Sequence, residues 1–226
     1  MKIYFLFLIF LFSNETFSQF AVIKDNDGYI NVRTDASKGN NISDQLKNGF
    51  VVYCFEPEKN WINIDYSKKN KDLGGYIYKD RIKYLSEFTE IPLIKETTGK
   101  VIFEKDSLNI SIQSKKFDAK TAKLNFSEGK FLNKINGKRF WGTDGEVPKT
   151  TYKTITVSIG NKIIELPKNA FEDLFEPSLF NTRINYNANT NTLYISSSNS
   201  DGAGGYEIVW VIEKGQYKER KIAFGF

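Results

Sequence analysis

Apolar and polar positions alternate in short bursts through the first third of the chain, at 21–23, 29–32, 50–55, 61–65 and 75–78, with clusters of Gly, Asn, Asp and Lys between them. A period of two over a few residues marks a half-buried strand. Lys24-Asp25-Asn26-Asp27-Gly28 supplies turn chemistry, and Asn48-Gly49 offers the positive-φ residues of a tight hairpin ahead of the longest apolar burst. The charged segment 67–72 reads as a loop longer than a minimal hairpin. Short strands joined by short turns favour a small closed barrel over a sheet with crossover helices.

The same pattern resumes later in the chain, predicting strands at 101–103, 108–112, 123–126, 154–159, 162–166, 183–186, 192–195, 207–213 and 216–224. Gly160-Asn161 and Lys214-Gly215 have the composition of two-residue hairpin turns, the second joining the legs of a terminal β-ribbon. One short helix is expected at 167–175, where Pro167 suits a first turn and Phe171, Leu174 and Phe175 share a face until Pro177 stops it. Residues 87–99 lack a clear period, contain Pro92 and read as a linker.

Within residues 20–86 the pieces form a set: an N-terminal strand, then Gly28-Tyr29-Ile30-Asn31-Val32-Arg33, then Leu46-Lys47-Asn48-Gly49 before an apolar strand, then Trp61-Ile62-Asn63-Ile64 and Gly75-Tyr76-Ile77-Tyr78. This set resembles the bacterial SH3 (SH3b) domain. The resemblance implies a small barrel that binds rather than catalyses, of the kind that commonly accompanies cell-wall enzymes. The expected fold class is therefore all-β, an SH3-like barrel at 20–86 followed by a second, mainly antiparallel β domain at 100–226 with one short helix. The second domain resembles no family on its motifs.

With 226 residues, 40% of them hydrophobic and 15% aromatic, the chain has material for two small cores. Its net charge of +5 is spread over both halves. The two basic runs, 68–71 and 218–221, contain or adjoin acidic residues, so a solvated face is expected and a nucleic-acid partner is not. Residues 1–18 read as a secretory signal peptide: Lys2 opens it, 3–12 is a short apolar run, and small residues at 16 and 18 precede a cleavage point before Gln19. No second apolar run is long enough for a membrane helix, so export to the periplasm or beyond without a stable anchor is expected.

Missing residue types exclude chemistry. The chain has no histidine and one cysteine, so a zinc amidase or peptidase site and a Cys/His nucleophilic site cannot be built from it, and no metal or cofactor is expected. Cys54, inside the apolar run 50–55, reads as a small buried hydrophobe. A carboxylate pair remains available for glycoside hydrolysis in Asp144 and Glu146, but Thr143-Asp144-Gly145-Glu146 also reads as an ordinary turn, which is the expectation.

Candidate ligand-binding residues are Tyr29, Arg33, Tyr76 and Tyr78. Tyr76 and Tyr78 share a strand face opposite Ile77, and the pattern leaves open which face is inner. Trp61, flanked by Ile62, is expected in the core, and Arg33 is expected to brace the first loop through backbone carbonyls. The polar, glycine-rich segment holding Asp201, Gly202, Gly204 and Gly205 reads as a mobile hairpin connection, with partner contact as its alternative role. The expected function is exported, non-enzymatic recognition of a cell-envelope peptide or glycan, such as a peptidoglycan peptide, or of an envelope protein. The alternative is a protein-interaction or inhibitor role for the C-terminal β domain.

Overall fold

The computed structural model describes residues 19–225; the expected signal peptide, residues 1–18, lies outside the described residues. The protein is all-β, built from antiparallel sheets and short 3-10 turns. Among the described residues no helix is long and apolar enough to cross a membrane.

Seven strands form the N-terminal unit: β1 (Gln19–Ile23), β2 (Tyr29–Arg33), β3 (Ile42–Lys47), β4 (Val51–Cys54), β5 (Trp61–Lys68), β6 (Lys71–Tyr78) and β7 (Ile82–Tyr84). They lie in the order β3-β2-β6-β5-β4-β1-β7. Both edge strands send side chains into one core, Leu46 from β3 and Ile82 and Tyr84 from β7, together with Ile30, Val32, Ile62 and Ile77 from the middle of the sheet. The sheet therefore coils around that core, and no pairing joins β3 to β7. Gly75 lets β2 approach β6, since a Cβ there would sit 2.6 Å from the Arg33 carbonyl oxygen and 2.6 Å from Val32.

Two turns in this unit differ from expectation. Segment 67–72 is a minimal hairpin: β5 and β6 pair as far as Lys68 and Lys71, and Lys69 and Asn70 alone form the turn, both at positive φ. Asn48-Gly49 is a turn but not a hairpin, because β3 pairs with β2 whereas β4 lies between β5 and β1. The Asn48 side chain instead clamps the preceding loop, accepting from Asp25 N–H at 2.8 Å and donating to the Asp25 carbonyl at 2.7 Å.

The remaining strands are β8 (Thr89–Glu90), β9 (Leu93–Thr97), β10 (Lys100–Lys105), β11 (Leu108–Lys116), β12 (Leu124–Ser127), β13 (Phe131–Ile135), β14 (Thr150–Ile159), β15 (Lys162–Glu165), β16 (Thr182–Asn187), β17 (Thr192–Asn199), β18 (Tyr206–Glu213) and β19 (Gln216–Phe224). One five-stranded sheet runs β15-β14-β11-β10-β9 and the other β19-β18-β17-β16-β8, with β12 and β13 as a separate ribbon. Ile110, Ile112, Ile155 and Val157 of the first sheet share a core with Ile184, Ile195, Ile208 and Trp210 of the second, so the two pack face to face as a sandwich. Segment 87–99, expected as a linker, contains β8 and β9 and feeds one strand to each sheet. Both strands are exposed along their whole length, which fits edge positions, where half of the backbone groups face solvent.

The expected helix at 167–175 is only a 3-10 turn, Lys168–Ala170, with the chain then leaving helical geometry. The Ala170 carbonyl, which an α-helix would bond four residues on, accepts instead from the Trp210 indole N–H at 2.8 Å and from Arg220 at 2.9 Å. Arg220 also forms a two-pronged pair with Asp173, 2.6 Å in each arm. Tertiary hydrogen bonds thus replace the helical ladder.

The two units meet across a third core. Phe20, Val22, Val51 and Tyr53 on the outer face of β1 and β4 pack with Tyr194, Val209, Val211 and Ala223 on the outer face of the second sheet. Strands β1, β4 and β18 are consequently buried on both faces, which accounts for their nearly unbroken apolar runs.

Candidate functional site

Alternation along β2 sends Ile30 and Val32 into the core and Tyr29, Asn31 and Arg33 to the outer face. Strand β5 does likewise: Ile62, Ile64 and Tyr66 are buried and Trp61 is on the outside. Trp61 therefore does not fill the barrel core as its apolar neighbours led us to expect. Because Ile62 and Ile64 both point inward, a period of two leaves position 61 outward, and the sequence carried that signal.

Opposite Trp61 in the ladder stands Tyr78, with ring centroids 5.4 Å apart and planes at 78°. The Arg33 guanidinium lies 5.9 Å from the Trp61 ring centroid, and the Lys38 ammonium 5.6 Å from that of Tyr78. With Tyr29 these groups line an open cleft of about 420 Å³, closed at one side by Asp25, Asp27 and Arg81.

The cleft is braced from below. Arg33 donates to the Gly39 carbonyl at 2.9 Å and to the Asn41 side chain at 2.6 Å, fixing the 34–41 loop as its carbonyl-bracing role required. Asn41 in turn donates to Asp35 at 2.8 Å. Asp25 accepts from the Asp27 N–H at 2.7 Å and from Arg81 at 2.6 Å, and these bonds hold its carboxyl below the usual carboxylate range. Some donors remain free: among the described residues Nε and Nη2 of Arg33 and the Lys38 ammonium make no hydrogen bond or ion pair, while the Asp27 carboxylate makes no side-chain hydrogen bond and lies in the field of Arg81. The surface thus combines exposed aromatic rings with cations and an anion, which suits a ligand carrying both signs of charge.

Of the four expected ligand-binding residues, the structure brings Tyr29, Arg33 and Tyr78 together and leaves Tyr76 outside the cleft. Tyr76 stands opposite Arg33 and Asn63 in the sheet, one pleat away from Tyr78 on the same face. Sequence reasoning missed Trp61, Lys38 and Arg81.

The glycine-rich segment lies elsewhere, connecting β17 to β18 of the sandwich. Gly204 is buried, and a Cβ on it would come within 2.9 Å of Thr143. Ser200 donates to the Gly142 carbonyl at 2.8 Å. The segment is therefore seated on the 142–146 turn instead of standing free as a mobile connection, with Asp201 and Gly202 exposed and Gly205 half-buried. Between the two lies a polar cleft of about 640 Å³ with Asp144 and Glu146 on its rim. Both carboxylates are exposed, as is Asp201 on the same cleft; the fourth acid, Glu176, is engaged by the backbone N–H groups of Lys149 and Thr150 and by the Thr150 hydroxyl. Among the described residues no group of three or more His, Cys, Asp or Glu is placed to hold a metal ion.

Cys54 is fully buried, and desolvation pushes its thiol up to about 12. No protein-family model, no curated protein and no solved structure matches the chain.

Proposed function

We propose that this protein is an exported, non-enzymatic recognition module whose N-terminal unit binds a short charged peptide of the cell envelope, such as a peptidoglycan stem peptide. One observation carries the reading. The partly exposed Trp61 ring stands beside Tyr78 under the Arg33 guanidinium, in a cleft that also holds charges of both signs. Aromatic faces supply contact area at low entropic cost, while Arg33, Lys38 and Asp27 suit the carboxylates and amines of such a peptide. The SH3b resemblance of residues 20–86 supports a binding role, and the absence of histidine from the chain removes the hydrolytic chemistry that usually accompanies such modules. Export rests on the composition of residues 1–18.

The test is retention on purified peptidoglycan sacculi, with soluble stem peptide and the wall disaccharide as competitors. Retention that the peptide reverses and the disaccharide does not is the expected result. Passage of the protein through the sacculi unretained would overturn the proposal.

A further inference from the structure

A second concavity, of about 530 Å³, opens where the two units meet. No sequence motif points to it, because its walls come from β1, the 48–50 turn and β7 on one side and from β16–β19 on the other. Its apolar wall includes Val22, Phe50, Phe88, Tyr194 and Val211. Phe88 and Tyr194 stack on each other within that wall, with centroids 5.6 Å apart and planes at 22°. A concavity of this size with a mainly apolar lining is typical of a small-molecule site.

The charges around it are not balanced. The two acids on its lining, Glu213 and Glu219, are each paired with a lysine, Glu213 with Lys218 at 2.5 Å and Glu219 with Lys221 at 2.9 Å. The N-terminal unit contributes Lys24, Lys47 and Lys83. Among the described residues Lys24 and Lys47 make no ion pair or side-chain hydrogen bond, and the Lys83 ammonium lies 4.4 Å from the Phe88 ring centroid. Three uncompensated cations thus border one apolar wall. A neutral ligand would leave them unused, and a cation would be repelled.

We propose that this inter-unit cleft binds a single-chain amphiphile with an anionic head, its tail against Phe50, Phe88 and Tyr194 and its head among Lys24, Lys47 and Lys83. The site is separate from the Trp61 cleft and does not depend on the peptide reading. A carboxylate and a phosphate head share this chemistry. Because its two walls belong to different units, the ligand bridges them and its binding stabilises their docked arrangement.

Calorimetric titration of the full chain with dodecanoate and with dodecyl phosphate, each below its micelle concentration, tests the proposal and identifies the head group by the tighter of the two. Saturable binding at one equivalent is expected for at least one anion, about tenfold or more tighter than for dodecyltrimethylammonium. Acetate should bind at least about tenfold more weakly than dodecanoate, because it lacks the buried methylenes. The exposed-lysine variants Lys47→Gln and Lys24→Gln should each fold normally, and the pair combined should weaken anion binding by about tenfold and flatten its dependence on salt. Absence of saturable binding by either anion, equal binding of the cation, or unaltered affinity in the double variant would overturn it.

Discussion

Trp61 and Tyr78 stand directly opposite each other on β5 and β6, and their rings meet edge to face outside the core they border. Each ring holds the other in place, and both line the cleft, partly exposed. Trp61→Ala should therefore lower retention on peptidoglycan by about tenfold or more, as loss of a central aromatic anchor does. Its melting temperature should change little, because Ile62 and Ile64, not Trp61, fill the core. Parallel pull-down and thermal melting measure both. A large loss of stability with binding per folded molecule intact would contradict the assignment.

Arg220 fastens the 168–173 turn to the second sheet through Asp173 and the Ala170 carbonyl. Arg220→Ala should destabilise by about 2–3 kcal/mol, because Asp173 and the carbonyl both lose a charged donor. Arg220→Lys should recover less than half of that, since an ammonium cannot satisfy both carboxylate oxygens in the plane of the fork. Urea denaturation of the two variants is the measurement.

Asp25 makes stability depend on acid. The Asp27 N–H first and the Arg81 guanidinium after it lower its pKa in the folded state against the opposing effect of burial. A carboxyl whose folded pKa is depressed contributes stability above its unfolded pKa, near 3.8, and loses that contribution as pH falls through the folded value. Asp25→Asn should cost about 1 kcal/mol at neutral pH, a modest figure because Arg81 is partly open to water. The gap to the parent should begin to narrow as pH falls below about 4 and close only below the lowered folded value. Urea midpoints at neutral pH and near pH 3 check it; a gap of constant size would argue against the role.

Cys54 should be inert in the folded protein. With its thiol buried and pushed up to about 12, almost none is thiolate at neutral pH. A thiol reagent such as DTNB should label it only after denaturant is added, following the global unfolding transition. Rapid labelling in native buffer would mean that β4 opens locally.

How far the sequence could be read varied with the kind of interaction. The strands of the second half at 154–159, 192–195 and 207–213 were legible because alternation and unbroken apolar runs are local marks of burial on one face or two. Segment 87–99 was misread because β8 and β9 are exposed edge strands, and an edge strand needs no apolar period. Trp61 was misread because its chemistry outweighed its place in the alternation. Lys38 and Arg81 sit in the turns just after Arg33 and Tyr78, where no alternation of apolar and polar positions assigns a side chain to a face, so no local pattern named them.

By itself the sequence determined the all-β class, most of the strands and the two-residue hairpins at Gly160 and Lys214-Gly215, along with the absence of histidine chemistry. These follow from side-chain period, backbone φ preferences and composition, which act between near neighbours. Only the tertiary structure decided that β3 and β4 are not partners and that Ala170 gives its carbonyl to Trp210 and Arg220 instead of to a helix. It alone placed Phe88 against Tyr194, Arg33 over Trp61 and Gly204 on Thr143. Those relations depend on contacts between residues tens to more than a hundred positions apart, or on the coiling of a whole sheet, and nothing in a short stretch of sequence encodes which distant surface it will meet.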